Sequence, residues 1–528
     1  MKKVFLIVVL LSTIIPIDSL FANDIIGSID NGRINWHWYE SDSSLYVMGE
    51  GLLMEQEFGI KVFVDGDSIP IGFFNEFRSF ASDVKKIHIE EGITYIGMHS
   101  FEDFCNLEEV YLPSTLKLID YAAFNGCNFH FKKFYMPQNI KKLGVTSLGT
   151  NGPFCGRMVI DTLYWDVEEM ESDIIYMEFN KVKSVIMGEH VRILPEGFCD
   201  FNDSLTSVDI PSNVLRIGAT DFSHCSNLSS VVLNEGLEEI DYMAFNDCPL
   251  ITELNLPRSL QILRSEFKNT SLMEITIPEN VRVLHSLQCS TLRRIRYNAR
   301  NAETDGVIRL LADSVELYLG DSVQVIDDYC FNRGKVKNVI NIPKSVIYIG
   351  ESAFYGLRIG AMPPKLDYVG RYAFSFADFG DSLNLPKIGV MENCAFSNSP
   401  TLKKLVINEA DSIKDGAFIT CSLLEYVEVT TSIPAYLGSL PFYNTPITNI
   451  IVPNCECIDV YEEKWTSAKD TYVNPVSFVS KIPCEQEGIV DVEFSKGDCK
   501  ARKIIRDGKM VLSMSDGREY NLLGYLIK

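Results

Sequence analysis

Histidine is scarce in this chain: seven in 528 residues, at positions 37, 88, 99, 130, 190, 224 and 285. No two of them stand in an H-x-x-x-H or H-E-x-x-H spacing, so a helix-borne zinc hydrolase site lacks its ligands. No Walker loop, dinucleotide fingerprint or G-x-S-x-G elbow falls where a strand–turn–helix would need it. Cys455-x-Cys457 is one residue too tight for a C-x-x-C pair. The chain is therefore read as non-enzymatic, with no cofactor and no metal. Positive charge is also in deficit, with 48 basic against 71 acidic residues and a net charge of −23. Phosphate recognition needs a basic surface, which excludes nucleic acid as a partner, and anionic lipid is excluded on the same ground. Beyond residue 22 no stretch approaches 18 uninterrupted apolar residues, so no membrane span is expected.

A hydrophobic content of 46% with 23% charged residues belongs to a folded chain. Its length exceeds one ordinary core, which predicts several domains or an elongated array. Residues 1–22 have the make-up of a signal peptide. Lys2 and Lys3 lead, residues 4–17 form the apolar core, and Leu20-Phe21-Ala22 offers a cleavage site. The mature protein is thus expected to leave the cytoplasm, reaching the cell surface, the medium or the periplasm.

Residues 205–225 and 228–248 are near copies, superimposed by a shift of 23. Leu205, Val208, Ile210, Val214, Ile217, Phe222 and Cys225 become Leu228, Val231, Leu233, Leu237, Ile240, Phe245 and Cys248. A fixed period of this size marks a leucine-rich-repeat solenoid. One unit cannot bury its own apolar face, so units must stack around a shared core. Each opens with an alternating L-x-x-V-x-I strand, as at Leu107/Val110/Leu112, Val182/Val185/Met187, Ile251/Leu254/Leu256 and Leu402/Leu405/Ile407. A proline such as Pro113 or Pro211 often ends it. A short apolar pair follows, then a glycine (Gly97, Gly144, Gly218, Gly350, Gly370) expected to permit a sharp corner. The unit closes on one large anchor, among them Phe101, Phe124, Leu148, Phe198, Phe222, Phe245, Phe331, Phe374 and Phe442.

The fold class so predicted is α/β but mostly β: a right-handed array of about sixteen coils of 20–24 residues over 83–474. An N-terminal β cap over 23–82 carries strands at Ile34–Tyr39 and Leu45–Met48 and supplies Trp36, Trp38, Phe77 and Phe80 as cover. Tyr461 and Trp465 are expected over the last coil. A small C-terminal β module fills 475–528, with hairpin turns at Asp507-Gly508 and Asp516-Gly517. Two irregular coils match each other, with Met187 and Leu319 132 residues apart and Phe198 and Phe331 133 apart. Of the 14 cysteines, the once-per-coil set (Cys127, Cys225, Cys248, Cys421) is read as buried thiols. Cys484 and Cys499, outside the array, are the better disulfide candidates.

The repeat resembles that of the BspA-like leucine-rich-repeat proteins of bacteria, whose unit reads I-P-x-x-V-x-x-I-G-x-x-A-F-x-x-C-x-x-L-x-x-V. Residues 210–231 match it nearly letter for letter. Trp38, Leu45, Val47, Gly49 and Gly51 stand for the family's opening segment, and Ile450, Val452, Pro453, Tyr461 and Trp465 for its closing coil. The last 25 or so residues are similar to the C-terminal β tail of exported Bacteroidetes proteins. The resemblance implies a surface or secreted adhesin for host extracellular-matrix protein, and it defines no binding motif.

Within each L-x-x-V-x-I strand, the residue between the last two inward positions faces out. In the first four coils it is His88, Tyr111, Tyr135 and Tyr164, all ring side chains. Stacked rings offer amphipathic contact area to a protein partner or a glycan. They also stabilise a sheet face with no partner at all. These four are the candidate ligand-binding residues of a monomer that binds host or cell-surface protein, with glycan capture or a structural envelope role as alternatives. The acidic stretch Asp166–Asp173 is read as a solvated loop rather than a calcium site.

Overall fold

The computed structural model describes residues 24–29, 32–54, 56–64, 67–73, 76–127, 130–144, 152–154, 158–170, 179–306, 314–332, 336–469, 476–482, 489–496, 499–506, 509–514 and 518–521. The expected signal peptide, 1–22, lies outside the described residues. Both compact units, Met1–Ile275 with Leu287–Leu292 and Thr276–Ser286 with Arg293–Lys528, are mostly-β solenoids. Among the described residues the only α-helix is Glu456–Lys464, and no helix is long and apolar enough to cross a membrane.

The first unit opens on an antiparallel meander, Ile25–Ile29, Ile34–Tyr39 and Ser44–Gly49. Ser44–Gly49 then lies parallel to Lys86–Ile89, with Leu45 opposite Ile87, so the cap extends the first sheet of the array. Trp36 and Trp38 are buried against Phe77 and Phe80. The outward column continues through Glu109–Tyr111, and then through His130–Met136, Val159–Trp165 and Val182–Met187, all parallel. Ile251, Leu254 and Leu256 carry the same alternation, yet residues 251–256 form no strand. Alternation suffices to turn Ile251 and Leu254 inward; the ladder needs a registered partner as well.

A second column holds two- to four-residue parallel strands such as Ile93–Ile96, Leu118–Ile119 and Lys142–Leu143. The third side of each coil is the anchor turn. There the anchor's N–H donates to the carbonyl just before the next coil's anchor: Phe101 to Ala123 (2.7 Å) and Phe222 to Ala244 (2.9 Å). The anchors form a buried spine. Phe77, Phe101, Phe124 and Phe154 stack at 5.1–5.5 Å, and Phe222 and Phe245 at 5.6 Å and 11°. The expected anchor Leu148 lies outside the described residues. Phe154 and Phe179 occupy the spine between Phe124 and Phe198, because longer coils move the anchor off the usual spacing.

The glycines do different work from that expected. Gly218, Gly350 and Gly370 have ordinary φ, but a Cβ there would come within 2.5–2.8 Å of backbone atoms of the preceding coil. Gly144 alone of the expected set is left-handed, at φ 70°. The sharp bends flank the anchors and are carried largely by non-glycine residues, Thr220 and His224 around Phe222, Met243 and Asp247 around Phe245, all at φ 56–57°, with Gly126, Gly356 and Gly416 taking the place beside Phe124, Phe354 and Phe418. Each non-glycine bend costs roughly 1–2 kcal/mol, and the anchor turn's inter-coil hydrogen bonds and buried ring offset it.

The corner cysteines are free and buried. Their thiols donate to a carbonyl of the previous coil: Cys127 to Phe101 (3.1 Å), Cys248 to Phe222 (2.9 Å) and Cys421 to Phe396 (3.4 Å). Burial pushes the Cys421 thiol up to about 11 and Cys127 higher still. Cys455 is disulfide-bonded, and its partner is none of the ten free cysteines. The side chains of the expected candidates Cys484 and Cys499 lie outside the described residues.

In the second unit one nine-stranded sheet includes Tyr348–Ile349, Lys365–Val369, Ser382–Met391, Lys404–Ile413 and Tyr426–Val429, all parallel. The two ten-residue strands run through both columns of their coils. Phe331, Phe354, Phe374, Phe396, Phe418 and Phe442 stack in sequence at 5.0–5.7 Å. Over its last coil lie Tyr461, whose OH donates to the Thr431 carbonyl (2.8 Å), and Trp465, whose Nε1 donates to that of Ala435 (2.8 Å). Beyond it Ile489–Lys496, Cys499–Arg506, Lys509–Met514 and Glu519–Asn521 form an antiparallel sheet. The turn residues Asp507, Gly508, Asp516 and Gly517 lie outside the described residues.

Candidate functional site: an outward column of rings

The parallel register that stacks the inward residues stacks the outward ones too. In the first unit Tyr46 lies opposite His88, His88 opposite Tyr111, and Tyr135 opposite Tyr164. The rings follow. Tyr46–His88 and His88–Tyr111 stack at 4.5 and 4.4 Å with planes within 9°; Tyr135–Tyr164 stack at 4.3 Å and 12°. The four residues expected from the sequence thus form two stacks rather than one row. Among the described residues no ladder joins Glu109–Tyr111 to His130–Met136, and without a shared register Tyr111 and Tyr135 are not held face to face.

Sequence reasoning missed Tyr46, which caps the first stack, and Tyr39 and His37, which continue it. Tyr39 meets Tyr46 edge-on at 5.5 Å and stacks on His37 at 3.6 Å. The signal was present: Tyr46 lies between inward Leu45 and Val47. The cap is expected to serve as cover, and the column of outward residues expected from the sequence starts only at His88.

The environment tunes these rings. Burial between two tyrosines holds the His88 imidazole below its ordinary value, which favours the neutral form. The Tyr111 hydroxyl donates to Glu109 Oε2 (2.6 Å), and that bond raises the phenol's pKa. Tyr111 and Tyr135 are 47% and 50% exposed. Each has one face against its stacking partner, His88 for Tyr111 and Tyr164 for Tyr135.

At the C-terminal ends of the second stack's strands lies a cleft of about 340 Å³ bounded by Tyr135, Tyr164, Trp165, Asp166, Ile186 and Gly188. Gly188 is required there, since a Cβ would fall 1.9 Å from Asp166 Oδ1. That carboxylate accepts from the His190 backbone N–H (3.1 Å) and contacts its Nδ1 (2.9 Å), raising the imidazole's pKa. Asp166 is thus engaged within the fold; of the rest of the acidic stretch, residues 171–173 lie outside the described residues.

One cluster has the look of catalysis. Ser223 Oγ is 2.8 Å from His224 Nδ1, and His224 Nε2 is 3.6 Å from Asp247. Ser223 is only 1% exposed, however, and His224 is stacked on Phe201 at 4.0 Å. The hydroxyl has no approach for a substrate carbonyl, which a nucleophile requires. Buried thiols with raised pKa are likewise poor nucleophiles.

Comparison with known proteins bears on the repeat. The family model described as a BspA type leucine rich repeat region matches residues 74–151, 175–303, 313–387 and 357–463, with six copies. Among solved structures the chain is similar to a leucine-rich repeat protein from Bacteroides ovatus, at 15% identity over 86% of this chain and 100% of that one, TM-score 0.31. It is also similar to a leucine rich cell surface protein from Faecalibacterium prausnitzii (16%, 84% and 97%, TM-score 0.24). The pneumococcal vaccine antigen PcpA gives 13%, 87% and 99%, TM-score 0.24. No curated protein matches.

Proposed function

The chain belongs to the BspA type leucine rich repeat family, whose model matches more than half of it, and from that premise we propose an exported, non-enzymatic adhesin that binds host extracellular-matrix or cell-surface protein. Its contact surface is the outward ring face of the first unit, centred on His88, Tyr111, Tyr135 and Tyr164. The observation that carries this is the pair of solvent-facing stacks at 4.3–4.5 Å. They present rigid, amphipathic side chains that lose little entropy on contact, the kind that dominates protein interfaces. Glycan capture is less well supported, because a sugar packs on a ring's face and every ring of this set has at least one face covered by another ring.

The test is a binding array of matrix proteins and glycans probed with residues 23–528. Capture of a protein ligand that is lost in the Tyr111→Ala/Tyr135→Ala variant supports the reading. Unchanged capture by that variant removes the ring face from consideration, and capture of glycans alone overturns the choice of partner class.

A further inference from the structure

The second ring stack adjoins a concentration of positive charge that the bulk composition conceals. The register pairs Phe131 with Ile160 and Lys133 with Thr162, which sets Lys132 opposite Asp161. On the other side Ile160 pairs with Val182 and Thr162 with Ser184, setting Asp161 opposite Lys183. Lys132, Lys133 and Lys181 are exposed, and among the described residues none of the three has a carboxylate partner. Asp161, the one acid within these three strands among the described residues, is already clasped by Lys183 Nζ (2.6 Å) and His130 Nε2 (2.9 Å). Lys133 also leans over the Tyr164 ring, 6.0 Å from its centroid. So four lysines face one neutralised aspartate, on a chain whose net charge is −23.

Distance decides which charge a docking partner feels. At physiological ionic strength the screening length is about 8 Å, and neighbouring strands lie roughly 4.8 Å apart. Lysines on the contacted strands therefore act, while acids several coils away are screened. On the preceding coil Glu108 is held by Lys85 Nζ (3.2 Å) and Glu109 accepts from the Tyr111 hydroxyl (2.6 Å), while the exposed acids Glu168, Glu169 and Glu189 follow the C-terminal ends of the lysine-bearing strands, beyond the rings. Within the three strands His130–Met136, Val159–Trp165 and Val182–Met187, charge is thus segregated along the strand direction. Lysines come first, then the tyrosine pair with its cleft, then acids.

We propose that this face takes an extended acidic protein segment, its carboxylates over Lys132, Lys133 and Lys181 and one large apolar side chain in the cleft walled by Tyr135, Tyr164, Trp165 and Ile186. The assignment rests on the ring face being the docking surface and adds the partner's chemistry. A segment running the other way would bring its carboxylates to Glu168 and Glu169, so the charge order also sets the direction of binding.

Three twelve-residue peptides test this, each with one central leucine, flanked by glutamate and serine, by lysine and serine, or by serine alone. Fluorescence polarisation against residues 23–528 is expected to show the glutamate peptide binding at least tenfold more tightly than the serine peptide, with the gap closing as salt rises from 50 to 500 mM. Lys132→Glu/Lys133→Glu should reverse the order of the glutamate and lysine peptides. Equal binding of all three peptides, weakened together by Tyr135→Ala/Tyr164→Ala, would overturn the acidic assignment and leave the ring face standing. A glutamate preference indifferent to Tyr135→Ala/Tyr164→Ala would leave the lysines standing and remove the ring face. A failure of all three peptides to bind, or competition by a sulfated polysaccharide alone, overturns the proposal.

Discussion

Two columns of stacked rings run through the first unit, one dry and one wet. Inside, Phe77, Phe101, Phe124 and Phe154 stack at 5.1–5.5 Å with planes 18–21° apart. Outside, Tyr46, His88 and Tyr111 stack at 4.4–4.5 Å within 9°. The outer rings are closer and more nearly parallel because they ride directly on a hydrogen-bonded ladder, whose strand spacing they inherit. The inner rings ride on turns rather than a β ladder, joined coil to coil through alternate N–H groups, as Thr220 to Tyr242, Phe222 to Ala244 and His224 to Asn246. Better stacking geometry therefore belongs to the column that matters less for stability. Burial, not ring overlap, sets the energy.

The largest effect expected from this contrast is on the inner column. Phe222→Ala or Phe374→Ala should cost about 3–5 kcal/mol in chemical denaturation, since each opens a cavity between two coils. A loss under 1 kcal/mol would mean that the spine is not the core. Next comes the close approach of coils. Gly350→Ala sets a Cβ 2.6 Å from the Asp328 backbone nitrogen at an ordinary φ, and should cost about 1–3 kcal/mol through overpacking. The outer column should respond in the opposite sense. Tyr111→Ala and Tyr135→Ala are each expected to change stability by less than about 1 kcal/mol while weakening partner binding at least tenfold. Equal losses from an inner and an outer ring would erase the distinction between the columns.

The smallest effect concerns pH and the turns between the columns. Glu91 accepts from the backbone N–H groups of Ser114 and Thr115, and Glu235 from those of Arg258 and Ser259. These bonds hold both carboxyls below the ordinary carboxylate value. A depressed folded pKa contributes stability that is present above the unfolded value and is lost as pH falls through the folded one. Unfolding midpoints should therefore drop in the acid range, and Glu91→Gln/Glu235→Gln should flatten that slope without affecting the neutral-pH ring contacts. An unchanged slope in the double variant would assign acid sensitivity elsewhere.

The repeat could be read from the chain because burial imposes it. An apolar residue is needed at each inward position, so Leu205, Val208, Ile210 and Phe222 recur at a shift of 23 and land in equivalent places. Even the irregular coils keep their order. Trp165 meets Phe198 edge-on at 4.8 Å, and Tyr297, 132 residues later, meets Phe331 edge-on at 5.4 Å. What escaped the reading depended on hydrogen bonding or backbone contact, which leave no apolar trace. The gap between Tyr111 and Tyr135, the missing strand at residues 251–256 and the close-approach role of Gly218 and Gly350 are all of this kind.

Residue spacing alone settled which side chains face the core and which face water, because a two-residue alternation within a coil of fixed length admits one inward set. Three-dimensional contact settled which outward neighbours touch. Tyr46 joins His88 only because the cap strand enters the array's ladder, and the lysines of two strands that are neighbours of a third converge around Asp161 although some 50 residues separate Lys132 from Lys183. Exposed residues experience no packing pressure that would mark their spacing, so their meeting is decided by ladder register.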